Sequence, residues 1–236
     1  MKELEKIKKN FIGLVGKKKL TEIFTDFFEL TALAIKSSVC SISTNFPEDI
    51  EKNIKRLEKF NIIKEKYTEK EFLKFNEIYT DIVELMDNNL KTKGYIDIFT
   101  QLYEELGQAS AGLAQFFTPK SVANICGQIV FDTNKMLEMY KENGKVKIYD
   151  PTCGAGALLL QAVNAATKKG IPIEAIYVEG QDLSNESCNM CYVQLSLYGI
   201  QGIVKQGDVL RNEENDIWVT PILKINEIKE KLNLGD

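Results

Sequence analysis

The sequence predicts an α/β protein in which an α-helical domain precedes an open sheet of the doubly wound type. Three observations carry this expectation. Short β-rich runs in the second half each end in glycine and an acid, helix-forming stretches alternate with those runs, and the first hundred residues place apolar side chains at helical spacing.

Residues 1–107 are read as the helical domain. They are rich in Lys, Glu, Leu, Ile and Phe and hold a single proline, Pro47. Phe27, Leu30, Leu33 and Ala34 share one helix face, as do Phe72, Phe75, Ile78, Ile82 and Leu85. Ser41 to Pro47 and Asn88 to Gly94 are expected to be loops, and the small, polar stretch Gly107 to Gly112 is expected to join this domain to an α/β domain over 108–236.

Charge and composition narrow the chemistry. The net charge is -4, and residues 1–100 carry 18 basic and 17 acidic side chains, so the second half is the acidic one and any DNA footprint must be local. Lys17-Lys18-Lys19 is one candidate footprint. Lys52, Lys55, Arg56 and Lys59 on one helix face are another, although solvated ion pairs such as Glu51 with Lys55 account for that pattern too. The absence of histidine removes every mechanism that needs an imidazole. Five scattered cysteines without a secretory leader imply a reducing, cytoplasmic setting, and no apolar run approaches the ~20 residues of a membrane span. Cys188-x-x-Cys191 falls in a helix after the second strand and is read as packing; no metal site is expected.

The second half carries the functional signal. Lys145 to Tyr149 reads as a strand, Asp150-Pro151-Thr152-Cys153-Gly154-Ala155-Gly156 as a turn, and Ala157 to Ala166 as a helix. Gly154 and Gly156 let backbone approach a ligand closely, and the free N–H groups of the helix that follows suit polar or anionic atoms. A second strand, Ala175 to Val178, leads into Gly180-Gln181-Asp182. A third run, Ile203 and Val204, leads into Gly207-Asp208. Ligands of open sheets lie beyond these strand ends, where Asp182 is placed to accept hydrogen bonds from ribose hydroxyls. The dinucleotide fingerprint fails because Leu159 occupies its third glycine position. A P-loop at Gly16-Lys17 fails because Lys18 stands where Ser or Thr is needed and Phe11 where Gly is needed.

Four segments in order resemble the S-adenosylmethionine-dependent N6-adenine DNA methyltransferases, specifically the modification subunits of type I restriction systems. They are Gln115-Phe116-Phe117-Thr118-Pro119, Asp150 to Gly156, Gly180-Gln181-Asp182 and Gly207-Asp208-Val209-Leu210, and the resemblance covers about Tyr95 to Leu210. It implies a Rossmann-like methyltransferase sheet with S-adenosylmethionine as cofactor. Phe116, Phe117 and Thr118 would line the methionine end, and Thr118 also reads as a helix N-cap before Pro119. Asp150, Gly154 and Gly156 would shape the turn around the cofactor, Asp182 would hold the ribose hydroxyls, and Asp208 would accept from the adenine amino group.

The resemblance also implies a catalytic [ND]-P-P-[YF] motif after the fourth segment. This chain has Thr220-Pro221-Ile222 there, so no catalytic residue is assigned and the isolated chain is expected to transfer no methyl group. The 15 residues after Pro221 cannot hold further strands of ~5–6 residues with their crossover helices, so half a sheet is expected. The chain is therefore read as a cofactor-binding member of the family. A non-catalytic assembly or regulatory module and one piece of a split methyltransferase stay open beside that reading. DNA, met together with other subunits, is the implied partner. A second copy or another protein is expected at a sheet edge bearing Ile217, Trp218, Val219, Ile222 and Leu223, with the N-terminal helices as the second interface.

Overall fold

The computed structural model describes residues 2–16, 18–40, 47–109 and 132–231. Helices α1 (Lys2–Ile12), α2 (Leu20–Cys40), α3 (Pro47–Lys64), α4 (Glu69–Lys93) and α5 (Phe99–Ala109) come first. Helix α6 (Thr133–Asn143) then leads into β1 (Val146–Asp150), α7 (Ala157–Lys168), β2 (Ile176–Asp182), α8 (Asn185–Leu197), β3 (Gln201–Gln206), β4 (Asp216–Val219) and α9 (Pro221–Lys231).

The N-terminal helices form because their apolar faces repeat every three to four residues and their ends are capped. Helix α4 buries Phe75, Ile78, Ile82, Leu85 and Met86 and starts on a reciprocal cap. Thr68 Oγ1 accepts the Glu71 N–H while Glu71 Oε2 accepts the Thr68 N–H at 2.7 Å. The five helices meet in an aromatic core in which Phe11 packs edge-on against Phe27 at 5.2 Å and Phe28 against Phe99 at 4.6 Å. Each such fully buried ring contributes roughly 1.5–3 kcal/mol of transfer free energy.

The sheet order is β1-β2-β3-β4, with the first two pairings parallel and β4 antiparallel to β3. Alternation sets the buried face. Val146 and Ile148 of β1, Ile176 and Val178 of β2, Val204 of β3 and Trp218 of β4 are all buried. Gly202 sits opposite Val178, where a Cβ would lie 2.2 Å from the Val178 carbonyl, so that position requires glycine. Helix α8 packs on β2 and β3 with one side and on α2 with the other. Its Cys188, Met190, Cys191, Tyr192 and Leu195 are all fully buried. One hydrophobic core consequently runs from Leu4 to Trp218.

Several sequence expectations change here. Asn88 to Gly94 is helix up to Lys93, because no breaker precedes Gly94, whose φ of 86° ends α4. Pro47 opens α3 instead of closing a loop, with residues 41–46 outside the described residues. Gly107 lies inside α5, and residues 110–112 of the expected joint also fall outside the described residues. Lys55 and Lys59 of the basic face pair with Glu51 and Glu29, and Arg56 lies 3.9 Å from Asp216. Lys17 lies outside the described residues and is not placed.

The expectation of an uncovered edge is corrected at Trp218 alone: Ile217 is 41% exposed and β4 is the last strand of the described sheet. Trp218 is only 7% exposed. Its ring packs against Tyr192 of α8 at 5.2 Å, and the buried Lys36 of α2 places Nζ 4.0 Å over it. The same ammonium donates to the Ile217 carbonyl at 2.6 Å and approaches Asp216 Oδ1 at 3.5 Å, so a residue of α2 holds β4 against the sheet.

Replacing Lys36 by Met keeps the apolar stem and removes the charge and the donor. We expect Lys36→Met to lower unfolding free energy by about 1–3 kcal/mol and to shift the emission of Trp218, the chain's single tryptophan. Urea unfolding followed by tryptophan fluorescence measures both, and an unchanged midpoint would show that β4 is held by packing alone.

Candidate functional site

The carboxyl ends of β1, β2 and β3 converge, and the turn after β1 is the structured part of that rim. Cys153 N–H donates to the Gln181 carbonyl at 2.9 Å and Gly154 N–H to Asp182 Oδ2 at 2.9 Å, which ties the turn to the end of β2. The other Asp182 oxygen accepts the Ser184 N–H at 2.9 Å and so fixes the entry to α8. The Asp182 carbonyl takes the Gly207 N–H at 3.0 Å, drawing in the end of β3.

The turn closes on glycine for a steric reason. Gly156 has φ 96°, and a Cβ there would lie 3.1 Å from Cys191 Sγ. As the N-cap of α7 it supplies no side-chain oxygen, so the first N–H groups of that helix are left without a side-chain cap. Such a helix start favours acceptor atoms.

Asp150 occupies the last position of β1 and is only 7% exposed. Its Oδ1 accepts the Thr152 N–H at 3.0 Å, whereas Oδ2 is buried with no hydrogen-bond partner among the described residues. Burial pushes this carboxyl above its ordinary value of 3.8, the Thr152 N–H opposes the rise, and the charge of Asp182 adds to it. A buried acceptor with an open lone pair at a strand end is the group that a cationic or hydroxyl donor would complete.

The remaining sequence-derived positions are distributed as follows. Asp208 stands beside this rim, after Gly207, with Oδ1 accepting the Leu210 N–H at 2.9 Å and Arg211 Nε 3.5 Å from Oδ2. Gly154 and Gly156 lie in the turn with Asp150 and Asp182. Phe116, Phe117 and Thr118 lie outside the described residues. Cys153 and Cys191 touch, and that contact together with burial pushes the Cys153 thiol well above its ordinary value, which keeps it an unreactive packing group. A cavity of about 300 Å³ lies elsewhere, between α2, α3 and α4, lined by Phe27, Leu30, Phe60, Phe72 and Tyr79, with no wall from the turn.

Sequence reasoning missed the side chains that brace the rim. Gln181 Nε2 donates to the Glu213 carbonyl at 3.1 Å and its Oε1 accepts the Tyr149 hydroxyl at 3.3 Å, linking β1, β2 and the loop before β4. Gln194 donates to the Ala155 carbonyl at 2.8 Å from the last turn of α8. The available signal was a glutamine set between Val193 and Leu195 in an otherwise largely apolar stretch of helix.

The stretch where the catalytic motif was sought is committed to the fold. Thr220 is fully buried, its Oγ1 accepts the Gly202 N–H at 3.0 Å, and Pro221 is the first residue of α9.

A model of the N-6 DNA methylase family matches residues 94–226, a span that begins where α4 ends and takes in every strand among the described residues. The chain belongs to the N-6 DNA methylase family. Among curated relatives it is similar to the type I restriction enzyme MpnII methylase subunit of Mycoplasma pneumoniae, with 26% identity over 132 residues. That match covers 54% of this chain and 22% of the relative, so the chain spans about a fifth of the relative's length. Two solved structures align at TM-score 0.41 and 16% identity. One is a Listeria monocytogenes protein assigned to the class I S-adenosylmethionine-dependent methyltransferases, with 90% of this chain and 54% of that chain covered. The other is a type I restriction-modification methyltransferase subunit from Streptococcus thermophilus, with 91% and 59% covered.

The state of Asp150 yields a pH prediction. Its folded value lies above its unfolded one, so the unfolded chain releases this proton first. Stability that is complete below about pH 3.8 is then lost as pH rises through the folded value. Asp150→Asn keeps an oxygen for Thr152 and removes the charge. The variant should be more stable than the parent by about 0.5–2 kcal/mol at pH 7, with the gap closing toward pH 4. Thermal or urea unfolding across that range checks it, and a variant less stable at pH 7 would show that the carboxylate is already compensated.

Proposed function

We propose that this chain binds S-adenosylmethionine at the rim formed by the Asp150 to Gly156 turn, Asp182 and Asp208, as an N6-adenine DNA methyltransferase family member of the type I modification kind. The observation that carries the reading is the buried Asp150 Oδ2, without a hydrogen-bond partner among the described residues, beside a helix start without a side-chain cap. The cofactor's ammonium is a donor of the right charge for Asp150. Asp182 retains lone pairs for the ribose hydroxyls, because each of its oxygens accepts one backbone N–H. Asp208 would take the adenine amino group, and Phe116, Phe117 and Thr118 would complete the methionine end.

When bound, the cofactor supplies an electrophilic methyl group to an amine of the target base. In this reading the residues of the rim bind and orient the cofactor, and among the described residues Thr220 and Pro221, which stand where the target amine would be met, are engaged in the fold. Thr220 and Pro221 spend their polar and conformational features on β3 and α9, so we propose that methyl transfer depends on residues contributed by another polypeptide or subunit, with DNA met in that assembly. The same commitment of Thr220 favours, as a second reading, a non-catalytic module that uses the cofactor site for assembly. The outer edge of β1, unpaired among the described residues, is where a partner strand would join.

Titration calorimetry with S-adenosylmethionine tests the binding reading. We expect saturable heat with the parent chain and a loss of about 1–3 kcal/mol in Asp182→Ala, which removes a charge-assisted acceptor. Circular dichroism must show the variant folded for the loss to count. No heat at any accessible concentration would discard the proposal.

A separate incubation with methyl-labelled cofactor and mixed-sequence DNA should leave no label in the nucleic acid. Incorporation at adenine by the isolated chain would show that its own residues complete the catalytic site.

A further inference from the structure

The segment between α4 and α5 is held by side chains from the sheet-covering helices. Asn164 of α7 brackets the Tyr95 backbone, with the Tyr95 N–H donating to Oδ1 at 2.9 Å and Nδ2 donating to the Tyr95 carbonyl. The Tyr198 hydroxyl, just beyond α8, accepts the Ile96 N–H at 3.2 Å and donates to the Ile96 carbonyl at 2.7 Å. The third of these side chains is Gln194, and it also reaches the candidate cofactor turn.

Gln194 is fully buried, and its amide is engaged in three directions. Its Oε1 accepts the Ile98 N–H at 3.3 Å. Its Nε2 donates to Asp97 Oδ1 at 3.2 Å and to the Ala155 carbonyl at 2.8 Å. Asp97 Oδ1 in turn accepts the Thr100 N–H at 3.1 Å in the first turn of α5. A continuous chain of hydrogen bonds therefore runs from the turn, through α8, to the start of the helix that leads in sequence toward Gln115 to Pro119.

We infer that Gln194 and Asp97 are positioning residues that fix the Asp150 to Gly156 turn relative to the start of α5, so that the proposed cofactor turn keeps its place against the helical half. The assignment of the turn as a cofactor site rests on the preceding section; the mechanical link does not. A buried amide with both donors and its acceptor engaged has one orientation, and removing it takes a partner from the Ala155 carbonyl and the Ile98 N–H and leaves the Asp97 carboxylate with one donor fewer beside the Thr100 N–H. Burial holds the Asp97 carboxyl above its ordinary range, against the lowering by the Thr100 and Gln194 donors. The titratable groups that sense Asp97 are Glu104 on α5 and Tyr198 beyond α8.

Gln194→Glu separates this role from plain packing, because it keeps the shape and exchanges the donor for a titratable acceptor. At pH 8 a carboxylate at position 194 faces Asp97 and the Ala155 carbonyl with nothing to donate; protonation in mild acid restores one donor. Amide hydrogen exchange on the cofactor-free chain, corrected for the intrinsic rate, should show faster exchange at pH 8 both in residues 153–157 and in residues 98–102, while α1 stays unchanged. Protection should return near pH 5.5. The double variant Asp97→Asn with Gln194→Glu reverses donor and acceptor across the pair and should regain part of the protection at pH 8. Affinity for S-adenosylmethionine should fall about tenfold in Gln194→Glu at pH 8 and recover in parallel.

Faster exchange confined to α8, exchange raised equally across the chain at every pH, or a double variant no better than the single one would overturn the link. Should Gln194→Glu not fold at pH 8, failure of the double variant to restore folding counts against the link in the same way. A parent chain that binds no cofactor but shows coupled, pH-reversible exchange would sink the cofactor reading and leave the link standing.

Discussion

The Asp182 carboxylate accepts the Gly154 N–H through one oxygen and the Ser184 N–H through the other, each at 2.9 Å, while its own carbonyl takes the Gly207 N–H. One residue at the end of β2 thus sets the turn after β1, the start of α8 and the exit of β3. Carboxylate acceptors make the stronger class of hydrogen bond to backbone N–H, so this junction adds direction to a glycine-rich turn whose Cys153 and Ala155 are buried. Everything proposed about ligand binding depends on it, because the rim has its shape only while the three strand ends stay in register. Burial at the end of β1, with a smaller contribution from the nearby Asp182 charge, raises the Asp150 carboxyl pKa, and its Oδ2 has no hydrogen-bond partner among the described residues.

Joining the helical half to the sheet needs a different kind of interaction. Apolar packing of α2 on α8 supplies area but little direction. Direction comes from buried polar side chains. Asn164, Tyr198 and Gln194 satisfy the backbone of residues 95–98, and Lys36 reaches the Ile217 carbonyl and Trp218. Each of these groups is costly to leave unpaired, so alternative dockings of the two halves are disfavoured by more than lost packing.

How much of this was legible in the sequence follows from the range of the interactions. The β1 turn, its flanking strand and helix, and the acids at Asp182 and Asp208 were readable because strand, glycine and acid lie within a few residues of one another. The helical texture of the first half was readable for the same reason, although the end of α4 was misplaced: Asn88 and Asn89 suggest a loop, yet Asn89 is buried inside the helix. The fate of Trp218 was not readable, since the lysine that covers it lies about 180 positions earlier. Nor does any local pattern state that β4 runs antiparallel, or that Gln194 faces a carbonyl of the turn 39 residues away. The roles of Phe116, Phe117 and Thr118 rest on the resemblance.

The central claim is that the cofactor sits on the β1 turn and the ends of β2 and β3, and glycine amides report on that location directly. In a spectrum of the chain labelled with 15N-glycine and titrated with S-adenosylmethionine, the account predicts that the amides of Gly154, Gly156, Gly180 and Gly207 move together and saturate, while Gly13 and Gly144 stay in place. Saturable shifts confined to the glycines of the helical half, or no shift at any of the four rim glycines, would contradict it.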